Sequence, residues 1–128
     1  MTISELCKKA HKIAVQKGFW VSEKGIDGDT NLMSFNDSLK DPCELAYRNN
    51  GELIALMHSE LSEALEALRH DNPPSNHVPE ISLLEEEMAD LAIRLGDFCE
   101  ARNIDLEKAI QLKMKFNETR EYKHGKKF

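Results

Sequence analysis

Two stretches decide how this chain reads: His58-Ser59-Glu60-Leu61-Ser62-Glu63-Ala64-Leu65 and Glu85-Glu86-Glu87-Met88-Ala89-Asp90-Leu91. Each holds two acids three residues apart, Glu60/Glu63 and Glu87/Asp90, beside apolar residues that recur at three- and four-residue steps. The first stretch belongs to a helix from about Asn49 or Asn50 to Arg69, striped by Leu53, Leu56, Met57, Leu61, Ala64, Leu65 and Leu68 and stopped by Asp71-Asn72-Pro73-Pro74. The second belongs to a helix that opens near Pro79 or Ser82, carries Leu84, Met88, Leu91, Leu95 and Phe98, and closes around Arg102-Asn103. An i,i+3 spacing puts both acids of a pair on one side of a helix. If the two helices pack antiparallel, as a short Pro-rich connection favours, four carboxylates converge at the edge of the bundle core.

Working outward, residues 2–17 read as a further helix, with Thr2 or Ser4 as cap, Ile3, Leu6, Cys7, Ala10, Ile13 and Ala14 as its apolar face, and Gly18 as its end. A last helix starts at a capping Asp105, carries Leu106, Ala109, Ile110, Met114 and Phe116, and frays near Glu121. Between the first and second helices the periodicity dissolves from Phe19 to Tyr47 into Gly25, Gly28, Asn31, Asn36, Asp37, Asp41 and Pro42, a long loop. That segment is expected to act either as a lid or base-pocket wall or as a static cover of the core. With 128 residues, 41% hydrophobic, 6% aromatic, and only six Gly and four Pro, the expected architecture is all-α, a single four-helix bundle-like domain spanning residues 1–128. No internal repeat is visible.

Three cysteines, Cys7, Cys43 and Cys99, are odd in number and too scattered for a disulfide framework or a CxxC zinc site, which suits reduced thiols in a cytoplasmic protein. The N-terminus lacks the apolar core of a signal peptide, and no run approaches a membrane span, so no membrane partner is expected. Net charge is −6, which argues against a nucleic-acid polymer as partner. Its distribution is uneven: residues 112–128 carry six Lys/Arg against Glu118 and Glu121, while the preceding body has 11 Lys/Arg against 21 Asp/Glu.

Four converging carboxylates repel one another unless a cation lies between them, and hard oxygen ligands favour Mg²⁺, or Mn²⁺, over zinc. The plainer reading is that 15 Glu and eight Asp place acids at i,i+3 on exposed helix faces by chance, although the placement beside the apolar stripe favours the metal. A di-iron bundle would need Glu-x-x-His on two helices, and only Glu121-x-x-His124 fits. Trp20 either stacks on a base or belongs to the core, and His11, His58, His70 and His77 form no spaced ligand set.

Glu60-x-x-Glu63, a gap of 23 residues and Glu87-x-x-Asp90 resemble the signature of the MazG-like all-α nucleoside triphosphate pyrophosphatase superfamily. The context is similar too: Gly51-Glu52-Leu53 leads into the first motif, Asp90-Leu91 continues an apolar helix, and Lys113 and Asn117 fall where related enzymes carry a phosphate-contacting Lys and Asn. The resemblance covers roughly residues 48–120. It departs at Ser59, where many members have Glu, and in the length of the Phe19–Tyr47 loop. The resemblance implies Mg²⁺-dependent hydrolysis of a (d)NTP to the monophosphate and pyrophosphate in nucleotide-pool housecleaning. It also implies Glu60, Glu63, Glu87 and Asp90 as metal ligands and catalytic carboxylates, and a homo-oligomer, dimer or tetramer. Lys113, Asn117 and Arg120 share one face of the last helix and are candidates to grip the phosphates, against the alternative of a basic helix end favoured by its macrodipole. The rival class is a non-catalytic helical module that binds nucleotide or a protein partner.

Overall fold

Capping chemistry fixes where each helix begins. The computed structural model describes residues 1–20 and 48–127 and holds four α-helices: α1 (Ile3–Gln16), α2 (Asn50–Arg69), α3 (Leu83–Ala101) and α4 (Leu106–Glu118), followed by a 3₁₀ turn at Tyr122–Gly125. Thr2 with Glu5, and Ser82 with Glu85, close capping boxes on α1 and α3, while the Asn49 and Asp105 side chains accept the first free N–H groups of α2 and α4. Gly18, at φ 84°, ends α1 through N–H bonds from Gly18 to Val15 O and from Phe19 to Ala14 O. The expected all-α class is met, since the described residues form helices and turns with one isolated bridge, Pro74 to Ser82. The long loop expected between the first two helices, and its proposed lid or cover role, lie at residues 21–47, outside the described residues.

α3 is the central element and packs against both α1 and α2. The α2–α3 pair is antiparallel: Arg102 Nε donates to Asn50 Oδ1 at one end, Arg94 meets Glu60 midway, and Leu84 N–H donates to Asn72 Oδ1 at the other. The connection is tighter than a simple proline stop. Asp71 and Asn72 adopt left-handed φ of 61° and 47°, and the buried Ser75 hydroxyl accepts from the His77 and Val78 N–H groups. Against α1 the approach is close at Gly96, where a Cβ would stand 3.3 Å from Cys7 Cα. Any larger residue there would push the α1 backbone back by a few tenths of an ångström.

The expected inward faces of α2 and α3 need correcting. The buried face of α2 is Leu53, Met57, Glu60, Ala64 and Ala67, whereas Leu61, Leu65 and Leu68 of the expected stripe are 46–56% exposed. On α3, Met88 and Leu95 are likewise exposed, and Glu87, Gly96, Asp97, Cys99 and Ala101 are buried. Both helices carry more apolar surface than one seam covers, and the seam selects the small and acidic positions. Among the described residues α4 has no buried side chain and meets α1 near its start, where the Ser4 hydroxyl donates to Glu107 Oε2 at 2.5 Å. α4 also stops at Glu118, before the expected Glu121.

Candidate metal centre

The α2 and α3 motifs meet in the seam the two helices bury. Carboxylate oxygens of Glu60, Glu63 and Glu87 lie within 4.8 Å of one another, the first 4% exposed, the last 9%, and Glu63 open to solvent. Two full charges at such a separation repel by about 3 kcal/mol at an effective dielectric of ~20, so crowding of these carboxylates opposes ionisation of the most buried ones. The outcome is visible at Glu87, whose carboxyl is pushed up to about 7. Burial is the largest cause, followed by the Glu63 charge, a hydrogen bond to Glu60 and the Glu60 and Asp90 charges. Near neutral pH Glu87 therefore stands between its protonated and ionised forms.

Asp90 stands one turn further along α3, outside the tight trio. Burial raises its carboxyl first, with the Glu60 and Glu86 charges adding, while Arg94 and His77 pull the other way. Beside it, Glu86 is lowered by hydrogen bonds from Ser75 and His77, whose Nδ1 lies 2.8 Å from Glu86 Oε1. The connection between α2 and α3 thus brings a histidine to the rim of the site. Ser59, where the motif often carries a further acid, donates its hydroxyl to Leu56 O at 2.6 Å and remains exposed. A shallow depression of about 240 Å³, lined by Glu63, Glu66, Ala67, His70, Leu83 and Glu87, adjoins the carboxylates.

The other expected site residues are not gathered here. Lys113, Asn117 and Arg120 are exposed on and just beyond α4, which packs against α1; Lys113 Nζ and Arg120 Cζ lie 4.7 and 5.8 Å from the Phe116 ring centroid. Trp20 is only 2% exposed and leaves no ring surface for a base. Its Nε1–H donates to both Asp97 oxygens at 2.8 and 3.0 Å, and its ring is flanked by His11, Arg48 and Arg102. Packing, the second of the two roles weighed for it, is the one the structure shows.

Two residues went unmarked in the sequence. Arg94 donates through Nε to the buried Glu60 carboxylate, and Asp97 anchors Trp20 and His11, whose Nδ1 lies 2.7 Å away. Arg94 lies seven residues from Glu87 and four from Asp90, a spacing that shares their face and so could have flagged it. Asp97 had only its place among apolar neighbours as a signal. No helix is long and apolar enough to cross a membrane among the described residues. Comparison of the chain with protein-family models, curated proteins and solved structures gave no match.

Proposed function

We propose that the chain is a MazG-like, Mg²⁺-dependent nucleoside triphosphate pyrophosphohydrolase that converts a (d)NTP to the monophosphate and pyrophosphate, as part of cytoplasmic nucleotide housecleaning. The observation that carries the reading is the convergence of Glu60, Glu63 and Glu87, from motifs 23 residues apart, in the α2–α3 seam. Crowded acids, two of them buried and one with its carboxyl pushed up to about 7, are a poor structural solution and a suitable cation cradle. The donor set fits the ion, because all of it is hard carboxylate oxygen. Glu60, Glu63 and Glu87 would hold Mg²⁺, with Mn²⁺ as a substitute and Asp90 as the further ligand one turn away. When bound, the ion neutralises phosphate oxygens and lowers the pKa of coordinated water.

The residues of the chain then divide the remaining work. The exposed carboxylate Glu63 and the half-buried Asp90 are the acids from which an attacking water can be oriented or deprotonated. Glu60, fixed by Arg94 and by the hydrogen bond with Glu87, keeps the cradle in shape. Assembly into a homo-oligomer, a dimer or tetramer, belongs to the same reading. It is supported by Ile54, Leu61, Leu65 and Leu68 on α2 and Leu112, Met114 and Phe116 on α4, all at least 41% exposed.

The test is a panel of NTPs and dNTPs with MgCl₂, in which monophosphate and pyrophosphate are both quantified and EDTA is the control. Equimolar monophosphate and pyrophosphate, absent in EDTA, is the expected result. Release of single phosphates, or no turnover on any member, overturns the reading and leaves the non-catalytic module.

A further inference from the structure

Arg94 has one side of its guanidinium occupied and the other open. Its Nε–H donates to Glu60 Oε1, and among the described residues this is its hydrogen-bond contact. The Nη1 and Nη2 groups, which carry four of the five N–H donors of an arginine, keep theirs. The Glu60 side chain is 6% exposed whereas that of Arg94 is 41% exposed, so the ion pair is buried at its acidic end and meets solvent at its basic end. Positions 87, 90 and 94 share one face of α3, and the guanidinium therefore stands over the carboxylates that the metal reading uses.

This arrangement exceeds what a counter-ion for Glu60 needs. A lysine would neutralise that charge equally well; a guanidinium anchored through Nε presents a planar pair of donors in the geometry that fits a phosphate bidentately. Because the Glu60 bond already fixes the plane, little side-chain freedom is left to lose when an oxyanion arrives. The competing cations Lys113, on the same face as Asn117, and Arg120 lie on and just beyond α4, whose main contact among the described residues is with α1. Arg94 is the cation that the α2–α3 pair itself brings to the carboxylates.

We propose that Arg94 grips the phosphate chain of the nucleotide through its open Nη edge while its Nε holds Glu60. The proposal rests on the function read above, and deepens it by naming a substrate-binding residue outside the acidic motifs. A polyphosphate bridging metal and guanidinium would be held at both ends: by ions on the carboxylates and by donors set about two helical turns from Glu87 along α3.

The experiment compares wild type with Arg94→Lys, which keeps a charge for Glu60 but loses the fork, and with Arg94→Met. Inorganic tripolyphosphate with Mg²⁺, titrated calorimetrically, reads phosphate grip without reference to base or turnover. Mn²⁺ alone, followed by electron paramagnetic resonance, reads the carboxylates. The proposal expects Arg94→Lys to fold with Mn²⁺ affinity within about threefold of wild type and tripolyphosphate affinity at least tenfold weaker, and KM to rise more than kcat falls on any nucleotide that is turned over. Unchanged tripolyphosphate affinity in Arg94→Lys overturns it, and so does a loss confined to Mn²⁺ binding and melting temperature, since Arg94 would then only hold Glu60. Failure of wild type to bind tripolyphosphate also overturns it. If wild type binds tripolyphosphate but releases no pyrophosphate from nucleotides, the catalytic reading fails while the Arg94 result stands.

Discussion

Glu87→Gln isolates the electrostatic state of the seam. In the folded chain the Glu87 carboxyl is pushed up to about 7 from an ordinary 4.5, chiefly by burial and then by the Glu63 charge and the Glu60 hydrogen bond. A raised acid pKa stabilises the fold through its proton: the contribution is fully present below about 4.5 and is lost as pH rises through about 7. At about 1.4 kcal/mol per tenfold change in proton affinity, that interval corresponds to ~3 kcal/mol, which water reaching the open Glu63 side of the site screens to about 1–2 kcal/mol. Glutamine keeps a donor for Glu60 and cannot ionise. Without metal, the two proteins should be equally stable at pH 5, and at pH 8 Glu87→Gln should exceed wild type by that 1–2 kcal/mol, a melting difference of about 3–8 °C for a domain of this size. Saturating Mg²⁺ should reverse the order at pH 8, because the ion stabilises a site that only the carboxylate completes. Urea or thermal unfolding at pH 5, 6, 7 and 8, in EDTA and in MgCl₂, gives both comparisons. Parallel pH profiles for the two proteins in EDTA would refute the reasoning, since Glu87 would then be an ordinary surface acid.

Replacing Glu60, Glu63 or Asp90 by its amide should lower pyrophosphate release by about 10²-fold or more with little loss of fold, measured as kcat/KM beside melting temperature; wild-type rates would make these acids mere surface. Gly96→Ala places a Cβ 3.3 Å from Cys7 Cα, a backbone atom with little room to yield, and should cost about 1–2 kcal/mol in denaturant unfolding despite the better helix propensity of alanine. Trp20→Phe removes the donor that Asp97 accepts in the core and should lower stability by about 1–3 kcal/mol with KM unchanged; a raised KM at constant stability would instead place the ring against substrate. Light scattering at micromolar concentration should give at least a dimer mass, and a monomer would leave the exposed α2 and α4 side chains without the proposed partner.

The helices were legible because their punctuation is local. Thr2, Asn49, Ser82 and Asp105 each announce a start within one turn, and Gly18 and Asn72 announce the ends nearby, so no tertiary knowledge is needed to place them. Which face of α2 turns inward is a different kind of question. Leu61, Leu65 and Leu68 satisfy a helical stripe as well as Leu53, Met57 and Ala64 do, and only the partner helix decides between them. The choice falls on the face with Ala64 and Ala67 because small side chains let α3 come close, and that choice draws Glu60 into the seam with them. The spacing of the acids was readable, but the burial that gives Glu87 its raised pKa was not.

Arg94 and Asp97 were obscured for a related reason. In a chain whose charged residues are 31% of the total, one arginine and one aspartate on a helix carry no mark until their partners, 34 and 77 residues away, are known. Yet these two link the structural core to the candidate site. Asp97 receives the Trp20 indole just beyond α1; Arg102, five residues on at the C-cap of α3, donates to Asn50 Oδ1 and Arg48 O at the start of α2 and lies 5.5 Å from the Trp20 ring centroid. The C-terminal third of α3 thereby fixes where α2 begins relative to α3. From Asn50 to Glu60 is ten residues of unbroken helix, about 15 Å, so the register set by Arg102 determines that Glu60 arrives opposite Arg94 and Glu87 and not a turn away. The geometry of the carboxylates is thus inherited from a polar anchor remote from them, and substitutions at Arg102 or Asp97 should perturb metal binding without touching a ligand.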